Sequence, residues 1–357
     1  MRNPTPGRVE FCKPLEEKKL IFPPFPPARH LHRRDALPYS EGVMNLTEPI
    51  TFEPLFMERV WGGRRLEMLF GKRLPAGARI GESWELVDRE EAQSVVHTGP
   101  LRGKTLNELW TDSRDALFGS RHAALGPRFP LLVKLLDAEE RLSVQVHPPA
   151  SVAPSLGGEP KTEMWYVAWA ESASDIFAGF RPGTTHQEFA HALAEGNVAN
   201  LLHRLPTTAG DCIFIPSGRV HAIGAGNVIV EVQQNSDTTY RVFDWNRTGL
   251  DGKPRELHID ESLRSIDFDD FAPAFQPPGV DPLVGCDHFR IERWALDAPR
   301  EAVPAGDFAV VTPLTGAVRC GTGEYGPGSF FLVPANLADR TLHPAKPGTT
   351  LLRTTIP

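Results

Sequence analysis

The sequence predicts a mainly β protein of two sandwich-like domains, with a small helical insert in the first. Three observations carry that expectation. Thirty-four prolines and 31 glycines in 357 residues exceed the roughly 12 % that the two types average together. Short runs rich in aromatic and β-branched residues recur between turn residues, as in Pro130–Leu136, Leu142–Val146 and Met164–Trp169. Helical spacing shows between Thr185 and Leu205, where Phe189, Leu193, Leu201 and Leu202 recur. A chain of this length has room for two domains with buried cores.

The elements follow in order. Residues 1–43 hold eight prolines, eight Lys/Arg and five Asp/Glu, with the run Phe22-Pro23-Pro24-Phe25-Pro26-Pro27. No periodic pattern survives there, so a Pro-rich, disordered extension is expected. Met44 stands immediately before the first patterned segment, which leaves open a native start at that position. Residues 44–270 alternate strands and turns and form the first domain. Its helical insert spans about 184–205 and opens on Thr185 and Glu188, spaced as a capping box. Further strands are expected at Ile213–Ile215 and Val228–Val232. Ala272–Val280 reads as a Pro-rich linker. Phe289–Arg293, Ala309–Pro313 and Ser329–Val333 then predict a smaller all-β domain over 281–357.

Composition narrows the partners. A net charge of −7 argues against nucleic acid. No apolar run reaches the ~18 residues that a membrane helix needs. Leu20-Ile21-Phe22 is cut off by Pro23 and Pro24, too short for the apolar core of a signal peptide. Cys12, Cys212, Cys286 and Cys320 lie far apart without a CxxC pair, as expected of free thiols in the cytoplasm.

Three segments carry candidate chemistry. In Ser143-Val144-Gln145-Val146-His147-Pro148 alternation puts Val144 and Val146 on one face and Gln145 and His147 on the other. The second face lines a cavity or forms the polar outside of a strand. In Lys161-Thr162-Glu163-Met164-Trp165-Tyr166, Lys161 and Glu163 share a face, as a site pair or an exposed edge pair. In Gly210–His221 a turn, a buried strand and a Pro-Ser-Gly turn lead to a histidine. Taken together, His147, Glu163 and His221 are borderline-hard donors on separate β segments. Such a set suits Zn²⁺ with an open position, and Gln145 would add an oxygen.

Gly210-x5-Pro216-x-Gly218-x2-His221 resembles the second signature of the cupin barrels. Gln145-x-His147-Pro148 followed by Glu163 resembles the first, with a lengthened connection. A narrower resemblance adds Pro130–Asp137, Lys161–Tyr166 and Gln233-Gln-Asn-Ser-Asp-Thr-Thr-Tyr-Arg-Val-Phe-Asp244, with Val60-Trp61-Gly62-Gly63 and Ile80–Glu85 nearer the front. These resemble the type I mannose-6-phosphate isomerases (phosphomannose isomerases), in particular their short bacterial form, from about Leu46 to Pro357. The resemblance implies two cupin-type jelly-roll barrels and interconversion of mannose 6-phosphate and fructose 6-phosphate. It implies one Zn²⁺ per chain on Gln145, His147, Glu163 and His221, with Arg241, Lys161 and Asp237 catalytic. The partner is then a small sugar phosphate, and the chain a monomer or homodimer.

The chemistry explains the residue types. Moving a proton between C1 and C2 passes through a cis-enediol(ate), whose charge a fixed cation such as Arg241 stabilises. Lys161 is the expected base if burial beside Zn²⁺ and Arg241 lowers its pKa, with Glu231 or a zinc-bound water as rivals. Lys134 and Arg247 are phosphate candidates. His186, His191, His203 and His258 read as structural, and Trp61, Trp84 and Trp165 as core residues rather than sugar platforms. In the C-terminal unit Gly326–Pro334 repeats the cupin turn and strand, but His343 comes too late to serve as a ligand, so that barrel is expected to bind no metal. The alternatives are a non-catalytic cupin that binds a sugar phosphate as a sensor or accessory protein, and an iron-dependent cupin oxygenase built on histidines. A fused nucleotidyltransferase would need a Gly-rich phosphate loop, which the sequence lacks.

Overall fold

The computed structural model describes residues 46–357, so the expectations for residues 1–43 and for a start at Met44 lie outside the described residues. The fold is mainly β, in four sheets. The strands of the first half are β1 (Ile50–Thr51), β2 (Leu55–Gly63), β3 (Ile80–Leu86), β4 (Leu131–Ala138), β5 (Val144–Val146) and β6 (Glu163–Ala170). They continue as β7 (Asp175–Phe180), β8 (Leu202–Pro206), β9 (Cys212–Ile215), β10 (His221–Ile223), β11 (Asn227–Gln234) and β12 (Tyr240–Phe243). A six-stranded sheet in the order β2-β3-β4-β11-β6-β9 and a five-stranded sheet in the order β12-β5-β10-β7-β8 make the first barrel.

The second half contains β13 (Val284–Gly285), β14 (Arg290–Leu296), β15 (Arg300–Glu301), β16 (Ala309–Thr315) and β17 (Val318–Cys320). It ends with β18 (Gly323–Tyr325), β19 (Phe331–Val333), β20 (Thr341–Pro344) and β21 (Thr349–Thr355). Its larger sheet runs β1-β19-β16-β21-β14-β13. Ile50 and Thr51, near the front of the chain, pair with Leu332 and Phe331 of β19. An open edge on β19 accepts them, and pairing it removes unsatisfied backbone groups.

The six-stranded sheet is buried on both faces, and its two faces differ. Leu131, Val133 and Leu135 of β4, Met164 and Tyr166 of β6, and Val228, Val230 and Val232 of β11 join one core with Phe289, Val311 and Phe331 of the second sandwich. The alternate residues Lys134, Glu163, Trp165 and Glu231 point into the barrel, because strand side chains alternate with period two. Each apolar side chain buried on the outer face contributes about 1.5–3 kcal/mol. That hydrocarbon anchors the strands whose other face carries charge.

Val144 and Val146 pack in a separate core with Phe189, as their alternation predicted. The helix His186–Glu195 starts at Thr185, whose side chain and Glu188 form the expected reciprocal cap. It ends earlier than the spacing suggested, at left-handed Gly196. Leu202 and Leu205 instead belong to β8, which pairs with β7. Their apolar side chains fit a helical template as well as a strand, and pairing decided the outcome.

Candidate active site

Strand β5 lies between β10 and β12. Gln145 at its centre stands directly opposite His221 on one side and Arg241 on the other. His147 follows as the strand ends. Gly218 sets the approach of the second histidine: its φ of +94° suits glycine, and a Cβ there would meet the Ser265 carbonyl at 3.4 Å. Its N–H donates to the His147 carbonyl at 2.8 Å, which ties the Pro-Ser-Gly turn to the first histidine. Glu163 enters from the other sheet as the first residue of β6.

The ligating atoms of His147, Glu163 and His221 lie within 4.8 Å of one another, and all three residues are buried. His147 Nε2 is 3.5 Å from one Glu163 oxygen and His221 Nε2 is 3.6 Å from the other. Each imidazole donates its other nitrogen to a backbone carbonyl: His147 Nδ1 to Thr238 and His221 Nδ1 to Arg219, both at 2.8 Å. Those bonds fix the tautomer and leave Nε2 of both rings as acceptors, that of His147 lying 3.2 Å from the Lys161 Nζ. Burial and the neighbouring His147 push the His221 pKa down to about 3, so the ring is neutral, the form a metal requires. Burial and Lys161 lower His147 too. Glu163 is buried, which opposes ionisation, yet Lys161 and His147 hold it well below the usual carboxylate range.

Neither Glu163 oxygen has a hydrogen bond among the described residues, although the Lys161 ammonium forms an ion pair at 2.7 Å. A buried, ionised carboxylate held by one ammonium and facing two imidazoles with free Nε2 acceptors is a set of donors that could hold a divalent cation. The Gln145 amide nitrogen sits 3.3 Å from His221 Nε2. A half-turn of that amide presents Oε1 to the same space.

Above this floor opens a cavity of about 570 Å³ whose wall includes Gln145, Lys161 and Arg241. Opposite charges alternate along it. Arg59 Nε donates to Glu82 at 2.8 Å, Lys134 Nζ lies 3.7 Å from Glu82 and 3.4 Å from Glu231, and Lys161 Nζ lies 3.9 Å from Glu231. The tryptophans orient the acids: Trp84 Nε1 donates to Glu82 at 2.6 Å and Trp165 Nε1 to Glu231 at 2.9 Å. Glu82 is penalised by burial, but Lys134 and Arg59 bring its pKa down to about 2. Glu231 moves the other way, raised by burial and by Glu163. Burial lowers Lys161, but Glu163 and Glu231 outweigh it and raise its pKa above the ordinary lysine value. That direction is opposite to the one the sequence argument required of a base.

Arg241 reaches the wall from β12. Its Nη1 donates to the Glu256 carbonyl at 2.7 Å, and its buried Nε has no hydrogen bond among the described residues. Asp237 also lines the cavity, half-exposed and 4.0 Å from Lys134. Of the phosphate candidates, Lys134 faces the cavity, whereas Arg247 is held on Asp244 with Nε–Oδ1 at 3.0 Å. His186 packs edge-on against Phe268 and His191 pairs with Glu195. Trp61, Trp84 and Trp165 are buried. The sequence reading missed Arg59 and Glu82. Glu82 and Trp84 at i and i+2 put both groups on one strand face, a signal present in Ile80–Glu85.

Comparison with known proteins follows the same lines. Residues 50–162 match the phosphomannose isomerase type I catalytic domain. The chain is 37 % identical over 306 residues to mannose-6-phosphate isomerase ManA of Bacillus subtilis, covering 82 % of this chain and 95 % of that one. It is 35 % identical over 285 residues to the mannose-6-phosphate isomerase of Streptococcus mutans, covering 78 % and 88 %. The crystal structure of the mannose 6-phosphate isomerase from Bacillus subtilis superposes with a TM-score of 0.76 at 30 % identity, over 86 % of this chain and 99 % of that one.

Proposed function

The chain belongs to the type I phosphomannose isomerases, and on that premise we propose that it interconverts mannose 6-phosphate and fructose 6-phosphate through a cis-enediol(ate) at a zinc centre. The observation that carries this reading is the buried His147–Glu163–His221 cluster beneath a cavity that also holds Lys161 and Arg241. Gln145, His147, Glu163 and His221 would hold one Zn²⁺ per chain. When bound, the ion supplies Lewis-acid polarisation of the substrate carbonyl.

The other steps rest on side chains. The unpartnered Nε of Arg241 offers a charged donor to the oxygen on which negative charge develops. Lys161, its pKa raised by Glu163 and Glu231, stays cationic and donates to the oxygens of the developing enediolate. Glu231, 3.9 Å away and with its pKa raised by burial and Glu163, takes and returns the proton that moves between C1 and C2, a contribution of about 10²–10⁴-fold. Lys134 and Asp237 border the same space and hold the sugar phosphate's polar groups. Against a sensor or accessory role, both Lys161 and Arg241 are kept at the cavity.

A coupled assay with mannose 6-phosphate tests the reading. Activity should vanish with chelator and return with added Zn²⁺. Full activity in chelator would remove the metal from the reaction, and no activity with any divalent ion would overturn the isomerase reading.

A further inference from the structure

We propose that His258 is a positioning residue for Arg241, its imidazole closing the open edge of the strand that carries the arginine. The inference rests on the reading of Arg241 as the group that stabilises the enediolate. Among the described residues β12 is the last strand of its sheet and pairs only with β5. The outward backbone groups of Arg241 thus face no neighbouring strand, and unpaired edge groups let a strand shift or fray. His258 satisfies both of them. Its backbone N–H donates to the Arg241 carbonyl at 2.8 Å, and its ring Nδ1 accepts from the Arg241 N–H at 3.1 Å. Because Nδ1 accepts, the neutral ring carries its proton on Nε2.

The surrounding chain holds His258 in place. Its carbonyl accepts from the Ser262 N–H at 2.9 Å in the helix Ile259–Ser265. At the other end of the segment Arg255 grips Asp244, with Nε–Oδ2 at 2.7 Å. Between these anchors, the Glu256 carbonyl is the acceptor for Arg241 Nη1. Arg255–His258 therefore runs as a strap beside β12, fixing the backbone of Arg241 at one end and its guanidinium near the other.

The guanidinium needs that restraint. Burial and the like charges of Arg255 and Arg247 lower the Arg241 pKa, so repulsion acts on the side chain. Arg241 also stands opposite Gln145. A slip of β12 would carry the cation away from the metal cluster, and a displacement of about 1 Å can cost 10²-fold in rate.

Four full-length proteins decide the matter: the parent, R241A, H258A and H258N, in which a carboxamide oxygen can replace Nδ1. Each is assayed for kcat, KM, bound Zn²⁺ and melting temperature, with amide exchange of the peptide around Arg241. R241A should lose turnover by orders of magnitude. H258A should lose roughly 10²-fold in kcat with KM nearly unchanged, keep its zinc, and exchange the Arg241 amide faster. H258N should recover most of the kcat. An inactive R241A beside an H258A with parental kcat overturns the role of His258 alone, whereas an active R241A overturns the reading of Arg241. Should H258A not fold, H258N decides: loss as deep as that of R241A overturns the proposal.

Discussion

Gly210–His221 and Gly326–Pro334 place a similar turn and strand in the two sandwiches, and the surroundings diverge from there. In the first, Cys212–Ile215 leads through Pro216, Ser217 and Gly218 to a histidine directly opposite Gln145. In the second, Phe331–Val333 leads through Pro334 to Ala335 and buried Leu337. His343 appears only on β20, opposite Arg319. The interiors follow suit. Lys134, His147, Lys161, Glu163, His221 and Glu231 are buried in the first half, while Phe289, Val311, Val318, Phe331 and Leu342 fill the second. The local backbone device thus carries no chemistry by itself. A barrel interior becomes a site when its buried charges find partners, since an uncompensated one would unfold the domain.

The comparison can be broken most severely at the ligands. His221→Ala should abolish stoichiometric zinc and with it turnover, while the second sandwich keeps its packing; unchanged metal analysis would remove His221 from the ligand set. In the other half, Phe331→Ala should cost about 3–5 kcal/mol of stability by opening a cavity in hydrocarbon. The kcat of the folded fraction should stay close to the parent's, and denaturant melts with active-site titration separate the two effects. A fall in kcat at full occupancy would show that the second core sets the site's geometry directly.

A smaller effect sharpens the contrast. The His221 pKa drops from the ordinary 6.5 to about 3 on folding. Between those values the unfolded chain binds a proton that the folded chain refuses, so stability is complete above about 6.5 and is lost as pH falls. The slope from this group is about 1.4 kcal/mol per pH unit. The urea midpoint of chelated protein should fall from pH 7 toward pH 5, more steeply in the parent than in His221→Phe. Identical profiles would mean that the ring is not buried neutral.

The site was legible wherever its logic ran along a single strand. Ser143–Pro148 showed which side chains share a face, and Thr185 with Glu188 announced the start of a helix. The charge chain from Arg59 through Glu82, Lys134 and Glu231 was not, because it crosses strands far apart in sequence whose register depends on the whole sheet. Ile50 and Thr51 escaped for the same reason: an edge strand's partner is chosen by the fold. His258 read as structural, and its ring does bind backbone, but no spacing rule reveals that the backbone belongs to Arg241.

The sheet of β4, β6 and β11, hydrocarbon on one side and charged on the other, bears on how far the halves can be separated. An excised first barrel would present Leu131, Val133, Leu135, Met164, Tyr166 and Val230 to water as one continuous apolar plate. Such a plate on a β-sheet invites self-association. A minimal metal-binding fragment would therefore precipitate unless those outward positions were rewritten in polar residues. The second sandwich then works as a solubilising cover: it need not border the cavity to be indispensable to the half that does.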